Sequence, residues 1–343
     1  MAASVVLNGS TSSARVSETT RLRIKQAAAR LQYRPNAVAQ GLLNRRMNTI
    51  GVVAIVGGPE INLYFLEVLN GILETAAIHD QSTTIFSITD WNEEEKILQC
   101  FDGRVDGMIF IAPHDLTSAL MDRLQKHTPV VLVHGSVDLN DVCNIDINNE
   151  IGAYEVVKHL ISLGHRRIAH LTGGRMLLGA QQREAGYRRA LEEHGIQYDE
   201  TLCPDGFFSI NSGRVRTMEI LKRLGPDQLP TAVFCGSDAI ALGCIEALTS
   251  NGISVPGQIS VAGFDDSLLA RITHPPLTTV RQPFRRMGSH AVNLLLSQIK
   301  NEPVQGVDVE VLAQGVTSLQ NMPLTELFPT ELVIRESTGP APK

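Results

Sequence analysis

The sequence predicts an α/β fold of two tandem lobes, each a doubly wound parallel sheet, preceded by a small all-α head. Three observations predict this class. Strand-like apolar runs alternate with helical patterns from residue 50 onward, which is typical of βαβ units. A second series of such units begins at residue 168, so the alternation is long enough for two sheets. The first 48 residues are instead helical in pattern and strongly basic.

The size and composition of the chain fit a folded protein without a membrane anchor. Its 343 residues suffice for two or three domains, and 43% of them are hydrophobic. The five cysteines are scattered without a CxxC pair, which indicates reduced thiols rather than a disulfide framework. No apolar run approaches the length of about 18 residues that a membrane helix needs, and no export signal begins the chain. We therefore expect a cytoplasmic protein.

The basic head contrasts with an acidic body. Up to residue 48 the chain has eight Lys or Arg residues against one acid, Glu18, which gives the head a charge of +7. Because the whole chain carries −6, the remainder carries −13. This asymmetry favours contact between the head and a polyanion such as nucleic acid, although a basic run is also common on a merely solvated face.

Two helices are predicted within the head. Ser17 is a suitable N-cap, and apolar residues recur at helical spacing from Ile24 onward, which predicts a helix over residues 18–32. Pro35 ends it, because the residue before a proline favours an extended conformation. The octet 36–43 follows this proline. An isolated helix so short is marginal in water, so we expect it to be ordered only against a partner.

The body consists of two series of strands and helices. Strands are predicted at residues 50–56, 83–88, 107–111, 130–133, 168–171, 232–235 and 260–263. Helices are predicted at residues 66–79, 151–163, 183–194 and 239–251. In open parallel sheets, ligands bind beyond the carboxyl ends of the strands. Candidate binding residues should therefore directly follow strands.

Six short runs, spread along nearly the whole chain, occur in the order of one known family. They are Val16–Arg21, Leu31–Ala39, Asn48–Val53, Leu163–Ala169, Val261–Asp266 and Pro276–Pro283. These runs resemble the lactose-repressor (LacI/GalR) family of transcription regulators. The resemblance implies a head that binds operator DNA and a periplasmic-binding-protein-like clamshell that binds a small effector, such as a sugar or sugar derivative. It also implies a side-by-side homodimer, so that two heads address a two-fold symmetric operator.

The same resemblance divides the chain into domains. Residues 1–35 are a partial helix-turn-helix head, 36–48 a hinge helix and linker, 49–335 the effector-binding and dimerisation domain, and 336–343 a frayed tail. Within the large domain, lobe 1 is expected at about 50–162 and 278–308, and lobe 2 at about 163–277 and 309–335.

One departure from the family concerns the DNA-binding motif. Family members open with a complete helix-turn-helix, whereas Ala2–Gly9 matches only the tail of its second helix. Base edges are read by the N-terminal part of that helix, so most base readout would be lost. Two interpretations stay open. Either the start codon is assigned too late, or the chain is a truncated product that senses its ligand but binds DNA poorly.

The resemblance assigns DNA contacts to the head and to the hinge helix. Leu42 would wedge between base steps in the minor groove, and Arg45 and Arg46 would neutralise phosphates. The predicted DNA-binding residues are Ser4, Asn8, Arg21, Tyr33, Asn36, Ala39, Leu42, Arg45 and Arg46.

Effector contacts are assigned to residues that follow strands or occupy family motifs. The predicted effector-binding residues are Tyr64, Phe65, Asn148, Arg183, Phe208, Ser237, Asp238 and Asp265. Arg183 lies in an Arg-x-x-Gly-Tyr pattern, and its fork of donors suits vicinal hydroxyls or a carboxylate. Asp265 accepts hydrogen bonds only, so the two side chains together would clamp a polyol.

Three of these assignments have an alternative. Phe65 is equally suited to packing within its own lobe, and Asp238 to capping the helix that follows it. Asn148 stands where the family usually has an aspartate, which puts the hydrogen bonds of the first lobe in doubt. Asp146 is a candidate substitute, although it lies two residues away.

Two other functions compete with that of a DNA-binding regulator. An enzyme is disfavoured, because the sequence has no dinucleotide fingerprint, P-loop, nucleophile elbow or HExxH motif. A solute-binding protein shares the clamshell but needs an export signal and no basic head; a truncated ligand sensor stays an alternative. No cofactor or metal is predicted. The effector, the operator, the direction of the response and the choice of dimer or tetramer stay open.

Overall fold

The computed structural model describes residues 6–7, 16–33, 36–55, 63–114, 116–126, 128–135, 142–225, 228–302 and 325–342. Among the predicted DNA-binding residues, Ser4 and Asn8 lie outside the described residues, as do residues 309–324 of the predicted second lobe. Within the described ranges, no helix is both long and apolar enough to cross a membrane.

From residue 16 to residue 44, the described part of the head has two helices whose side chains are largely exposed. Helix α1 (Glu18–Arg30) begins where predicted, because the Ser17 hydroxyl accepts a hydrogen bond from the amide three residues on, and it ends two residues early. No residue of α1 is buried. Helix α2 (Ala37–Asn44) exposes the side chains of Leu42 and Leu43 by 75% and 69%. Two adjacent leucines are thus exposed on a short helix.

The first lobe is a six-stranded parallel sheet covered by helices. Its elements are β1 (Thr49–Ile55), α3 (Leu63–Ile78), β2 (Ser82–Ile88), α4 (Glu94–Gln99), β3 (Gly107–Ile111), α5 (Ser118–Gln125), β4 (Val130–Val133), β5 (Cys143–Ile147), α11 (Phe284–Lys300) and β10 (Thr325–Phe328). The strand order is β10-β5-β4-β3-β1-β2, and all neighbours are parallel. Strands β3 and β4 are buried along their whole length, as expected for a sheet with both faces covered.

The second lobe is a three-stranded parallel sheet with helices on both faces. Its elements are α6 (Asn149–Ser162), β6 (Ile168–Leu171), α7 (Leu178–Glu193), α8 (Ile210–Arg223), β7 (Ala232–Cys235), α9 (Asp238–Ser250), β8 (Ser260–Ala262) and α10 (Leu268–Ile272), in the strand order β6-β7-β8. Alternate residues of β7 face opposite sides. Phe234 belongs to the core shared with α6 and α7, whereas Val233 and Cys235 pack with residues of α8 and α9.

The chain first crosses between the lobes at the start of α6, not after its end. Residues up to 162 are predicted in lobe 1, and this boundary is wrong for α6. A Cβ on Gly186 of α7 would lie 2.2 Å from the Glu150 carbonyl oxygen, so α6 lies in backbone contact with the second lobe. The later crossings pass through β9 (Thr279–Arg281) and β11 (Glu331–Val333), which pair antiparallel.

Two predictions about the C-terminal part are also wrong. Residues 309–335 are predicted in the second lobe, but Thr325–Phe328 pairs with β5 of the first. Residues 336–343 are predicted as a frayed tail, but Ser337 is fully buried and its hydroxyl donates to the Val261 carbonyl at 2.6 Å. The Ala341 amide is hydrogen-bonded as well. The Gly-Pro-Ala-Pro composition suggests a loose chain, whereas these backbone and hydroxyl bonds fasten it to the second lobe.

Candidate functional site

A cavity of about 520 Å³ lies between the two lobes, at the carboxyl ends of their strands. Open parallel sheets bind ligands at this edge, and the volume suits a small organic molecule. The first lobe contributes Ile55, Leu63, Tyr64, Phe65, Trp91, Ala112, His114, His134 and Asp146 to the lining; the second contributes Asn149, Leu177, Arg183, Phe208, Asn211, Ser237, Asp265 and Leu269; Gln282 comes from the crossing segment.

The guanidinium of Arg183 is the buried cation of this cavity. The residue lies in the second turn of α7 and is only 7% exposed. Its Nε donates to Asn149 Oδ1 at 2.9 Å, and its Nη1 donates to the Gly236 carbonyl. The guanidinium carbon lies 3.9 Å from the centre of the Phe264 ring, and Nη1 lies 3.9 Å from Asp265 Oδ1. The two hydrogen bonds fix the plane of the group and use two of its five donors.

A chain of hydrogen bonds connects the two lobes through four side chains. The Gln282 amide nitrogen donates to Asp265 Oδ1 at 2.7 Å, which leaves its oxygen to accept from His134 Nε2 at 3.1 Å. Because Nε2 then carries the proton of His134, Nδ1 accepts from the Tyr64 hydroxyl at 2.8 Å. His134 and Asp265 both have positive φ angles, 54° and 128°. Such strained backbone is typical of binding sites.

A second polar contact joins the lobes through Asp146 and Asn149. Asp146 Oδ1 accepts from the Ile147 amide at 2.7 Å and from Asn149 Nδ2 at 3.4 Å. Asn149 uses its side-chain oxygen for Arg183, as described above. Arg183 of the second lobe is thus connected through Asn149 to the carboxylate of Asp146 in β5 of the first lobe.

The electrostatics of the site follow from its burial. Burial raises the pKa of both Asp146 and Asp265 to about 6, while the charge of Arg183 lowers these pKa values in part. Burial, followed by the charge of Arg183, lowers the pKa of His134 to about 3. The imidazole is therefore neutral at pH 7, and its 3.7 Å approach to Asp146 is not an ion pair. At that pH the site holds one cation and two carboxylates.

In each sheet, acidic lining residues lie in or after strands on one side, and apolar lining residues lie in or after strands on the other side. In the first lobe, Asp146 is the penultimate residue of β5 and His134 follows β4, whereas Ile55 ends β1 and Trp91 follows the edge strand β2. Neighbouring strands lie ~4.8 Å apart, so β5 and β2 are separated by roughly 19 Å. The second lobe repeats the arrangement, with Asp265 after β8 and Leu177 after β6 at the other edge. Since Gln282 bonds both Asp265 and His134, the two polar ends adjoin.

Six of the eight predicted effector-binding residues line the cavity, and their role in binding stays a prediction. They are Tyr64, Phe65, Arg183, Phe208, Ser237 and Asp265. Both interpretations of Phe65 fit its position, because it lines the cavity and also belongs to the hydrophobic core. The Phe208 ring covers Gly173, where a Cβ would lie 1.9 Å from Phe208 Cε1.

The structure does not place Asn148 and Asp238 in the lining. The side-chain oxygen of Asn148 caps α6 by accepting from the Ile151 amide at 3.0 Å. Asp238 is fully buried and accepts from the Thr279 hydroxyl at 2.6 Å and from the Ser267 amide at 2.7 Å. It does not cap α9 either, because Ser237 is the N-cap. Both side chains thus bond within the chain, and their contact with an effector stays a prediction.

Among the lining residues absent from the predicted set are Trp91, His134, Asn149 and Gln282. The sequence could have indicated His134 as a lining residue, because it directly follows the predicted strand 130–133. Gln282 lies within the family run Pro276–Pro283, and Asn149 adjoins the position where the family aspartate is missing. Trp91 had no signal beyond its place after a strand.

In the head, several predicted DNA-binding residues also contact the chain itself. The side chain of Asn36 caps α2 by accepting from the Ala39 amide at 3.3 Å. Arg46 Nη2 donates to the Ile299 carbonyl at 3.0 Å, and Nε of the partly buried Arg21 lies 3.9 Å from a carboxylate oxygen of Glu18. Tyr33, Ala39, Leu42 and Arg45 are exposed. The contact of these residues with DNA stays a prediction.

Comparison with known proteins agrees with this architecture. Residues 157–338 match a family model described as a periplasmic binding protein-like domain. The chain is 35% identical to the HTH-type transcriptional repressor PurR of Vibrio atlanticus, over 84% of this chain and 85% of that protein. It is 32% identical to the HTH-type transcriptional regulator DegA of Bacillus subtilis, over 95% of this chain and 91% of that protein.

Solved structures give the same result. The lac repressor dimer bound to operator and the anti-inducer ONPF is 27% identical, with a TM-score of 0.79 over 98% of this chain and 94% of that chain. A complex of the transcriptional regulator CelR with cellobiose is 30% identical, with a TM-score of 0.72 over 97% and 94%. With two lobes, an interlobe cavity and relatives that match along most of its length, the chain belongs to the LacI/GalR family of transcriptional regulators.

Proposed function

We propose that this protein is a transcriptional repressor that binds operator DNA as a homodimer and responds to a small sugar-like effector between its lobes. The observation that carries this proposal is the junction, in one chain, of a basic head that exposes Leu42 and Leu43 with a two-lobed domain that buries Arg183 in its cleft. The relatives are named as regulators, which supports this function over that of an enzyme or a solute-binding protein. Its partner is DNA, so we place it in the cytoplasm.

The lining indicates the chemistry of the effector. Arg183 supplies donors, and Asp265 and Asp146 supply acceptors, which together suit the paired hydroxyls of a sugar. Apolar side chains, including Trp91 and Leu177, follow the strands at the opposite edges of the two sheets, whereas the Phe208 ring lies 5.3 Å from the guanidinium carbon of Arg183. We therefore propose a neutral ligand with a polyhydroxyl part beside Asp265 and an apolar face or substituent directed towards Trp91.

Binding of the effector changes the relative orientation of the lobes. The ligand contacts both of them, so it favours whichever arrangement brings Arg183 and Tyr64 to its two sides. It acts only through its different affinities for the two arrangements, and a coupling of roughly 1–3 kcal/mol is typical. In a dimer, this rotation alters the spacing of the two α2 helices and therefore their fit to the operator.

The function is tested by selection from a random duplex library, followed by thermal shift against sugars, sugar acids and glycosides. We expect the recovered duplexes to share a two-fold symmetric sequence, and their affinity to fall steeply as salt is raised. We also expect at least one glycoside to raise the unfolding temperature and to change the affinity for the selected duplex. Recovery of no enriched sequence, or a stabilising glycoside without effect on DNA affinity, would contradict the proposal.

Replacing Leu42 with alanine should weaken operator binding at least tenfold, because burial of a leucine is worth about 1.5–3 kcal/mol. Its side chain is 75% exposed in the free protein, so the stability of the free protein should not change. Ile334→Ala, at an exposed position outside the head, is the matched control. Fluorescence anisotropy with the selected duplex measures the affinity. Equal operator affinities for Leu42→Ala and the control would refute the insertion of Leu42 between base steps.

Effector affinity should fall as the pH is lowered from 7 to 5. The pKa values of Asp146 and Asp265 are about 6, above their ordinary value of 3.8, so each takes up a proton in this window and loses an acceptor. Affinity should drop about tenfold for each carboxylate that must stay ionised. The same upward pKa shifts lower the free energy of unfolding as the pH rises from 4 to 6, because the native state binds these protons more tightly than the unfolded chain does. Calorimetry with the stabilising glycoside tests the first statement, and Asp265→Asn should leave only the part of the pH dependence that comes from Asp146.

A further inference from the structure

The carboxylate of Asp106 holds the segment that joins the head to the first lobe. The Met47 amide donates to one of its oxygens and the Asn48 amide to the other, each at 2.7 Å. The Asp106 amide in turn donates to the Thr49 carbonyl at 2.8 Å. Hydrogen bonds to an ionised acceptor are roughly twice as strong as neutral ones. One side chain thus fixes two successive peptide groups of the linker.

The same segment is joined directly to α2. Arg45 has a φ of 53°, and the Arg46 amide donates to the Gly41 carbonyl at 3.1 Å, so the chain reverses immediately after the helix. A Cβ on Gly41 would lie 2.3 Å from the sulfur of Met47. The methionine side chain therefore lies directly against the helix. Because of these contacts, α2 and the residues that Asp106 holds form one structural unit.

A second contact fastens this unit to helix α11. Arg46 donates to the Ile299 carbonyl in the last turn of α11, where the helix dipole favours a cation. Helices α11 and α3 touch through their backbones, since a Cβ on Gly71 would lie 2.1 Å from the Arg285 carbonyl oxygen. They therefore move together, and the first turn of α3 carries Tyr64 of the cavity lining.

The strands at this joint also lead to the cavity. Strand β3 begins directly after Asp106 and is followed by Ala112, and β1 runs from Thr49 to Ile55. Ala112 and Ile55 both line the cavity. A paired strand in the middle of a sheet is a rigid element, so its two ends turn together. A rotation of the first lobe at the cavity therefore displaces Asp106 at the opposite end.

From these contacts we propose that Asp106 is a positioning residue that makes α2 follow the orientation of the first lobe. The inference rests on the proposed function to the extent that α2 contacts operator DNA. Without the carboxylate, α2 is attached through a loose segment, and its position no longer depends on the effector. In this arrangement one guanidinium nitrogen of Arg46 is bonded to the body of the protein.

Limited proteolysis tests the joint without DNA. Trypsin cleavage after Arg45 and Arg46, followed by mass spectrometry, should be about tenfold faster in Asp106→Ala, as expected for the loss of a hydrogen bond to a charged group. Asp106→Asn should be intermediate, because an amide has one acceptor oxygen. Asp102→Asn is the control, since the Asp102 carboxylate bonds only nearby Arg104 on an exposed turn. The unfolding temperature of the lobes should be the same in all four proteins.

Operator and effector binding then separate positioning from folding. Asp106→Ala should bind the selected duplex about tenfold more weakly and show no change on addition of the stabilising glycoside, while calorimetry gives an unchanged glycoside affinity. Wild-type cleavage rates and wild-type modulation in both Asp106 variants would overturn the proposal. If Asp106→Ala does not fold, the same measurements on Asp106→Asn decide whether the proposal holds. If the wild type binds no duplex, the proposed function fails, but the cleavage rates still decide whether Asp106 holds the linker.

Discussion

Replacing Arg183 with alanine is expected to lower effector affinity at least 100-fold, or about 3 kcal/mol, and so to abolish the transcriptional response. The guanidinium is buried and bonded to Asn149 and Gly236, so its removal takes away its own donors and leaves Asp265 without its cation. Arg183→Lys should recover only part of the affinity, because an ammonium cannot reproduce the fixed fork. Calorimetry with the stabilising glycoside measures the change.

The matched control is Arg188→Ala on the same helix. Arg188 pairs with Glu184, which Arg175 also binds, and its side chain is half exposed. Although Glu184 is buried, it stays paired with Arg175 when Arg188 is removed, so effector affinity should stay close to that of the wild type. A normal glycoside affinity in Arg183→Ala would show that the effector binds outside this cavity.

Replacing Gly186 with alanine should destabilise the protein by about 3 kcal/mol, which is at the upper end of the usual cost of overpacking. The added methyl group would lie 2.2 Å from the Glu150 carbonyl oxygen and 2.9 Å from the Tyr154 amide nitrogen. Both neighbours are backbone atoms, so relief requires that α6 and α7 separate. These helices carry Asn149 and Arg183, and we therefore expect effector affinity to fall together with the thermal midpoint.

Gly225→Ala provides the corresponding control for a glycine in open space. No atom lies within 4 Å of its added Cβ. The change should leave the thermal midpoint unaltered or slightly raised, because alanine reduces the freedom of the unfolded chain. If Gly186→Ala melted at the same temperature as this control, the close contact of α6 and α7 would be refuted.

The parts of the fold that depend on local pattern were predictable. The strands 107–111, 130–133 and 168–171 are observed with the predicted bounds, because short apolar runs in buried parallel sheets have little alternative. Helix α11 is absent from the predicted elements, although Phe284, Met287 and Ala291 recur at helical spacing. The position of β10 could not be predicted. Its pairing with β5 joins segments far apart in the sequence, and local pattern carries no information about such partners.

The candidate site was predictable where a family motif marks a residue, as for Arg183 and Asp265. It was not predictable where the fold brings separate loops together. Gln282 reaches both His134 and Asp265 only because the crossing segment passes between the sheets. Asn148 is the predicted cavity residue, but Asn149 lines the cavity instead, and the reason is physical. Asn148 is the N-cap of α6, so its side chain turns back to the helix, and the next residue faces the cavity.

Trp91 is the one tryptophan of the chain and lies in the wall of the cavity, stacked obliquely at 5.4 Å on Phe110. Its indole emission therefore originates from a single place, next to the apolar end of the proposed ligand. When it is excited near the red edge of protein absorbance, the fluorescence of Trp91 should therefore report whether a ligand occupies the cavity. This measurement needs no label and can be made in the presence of DNA.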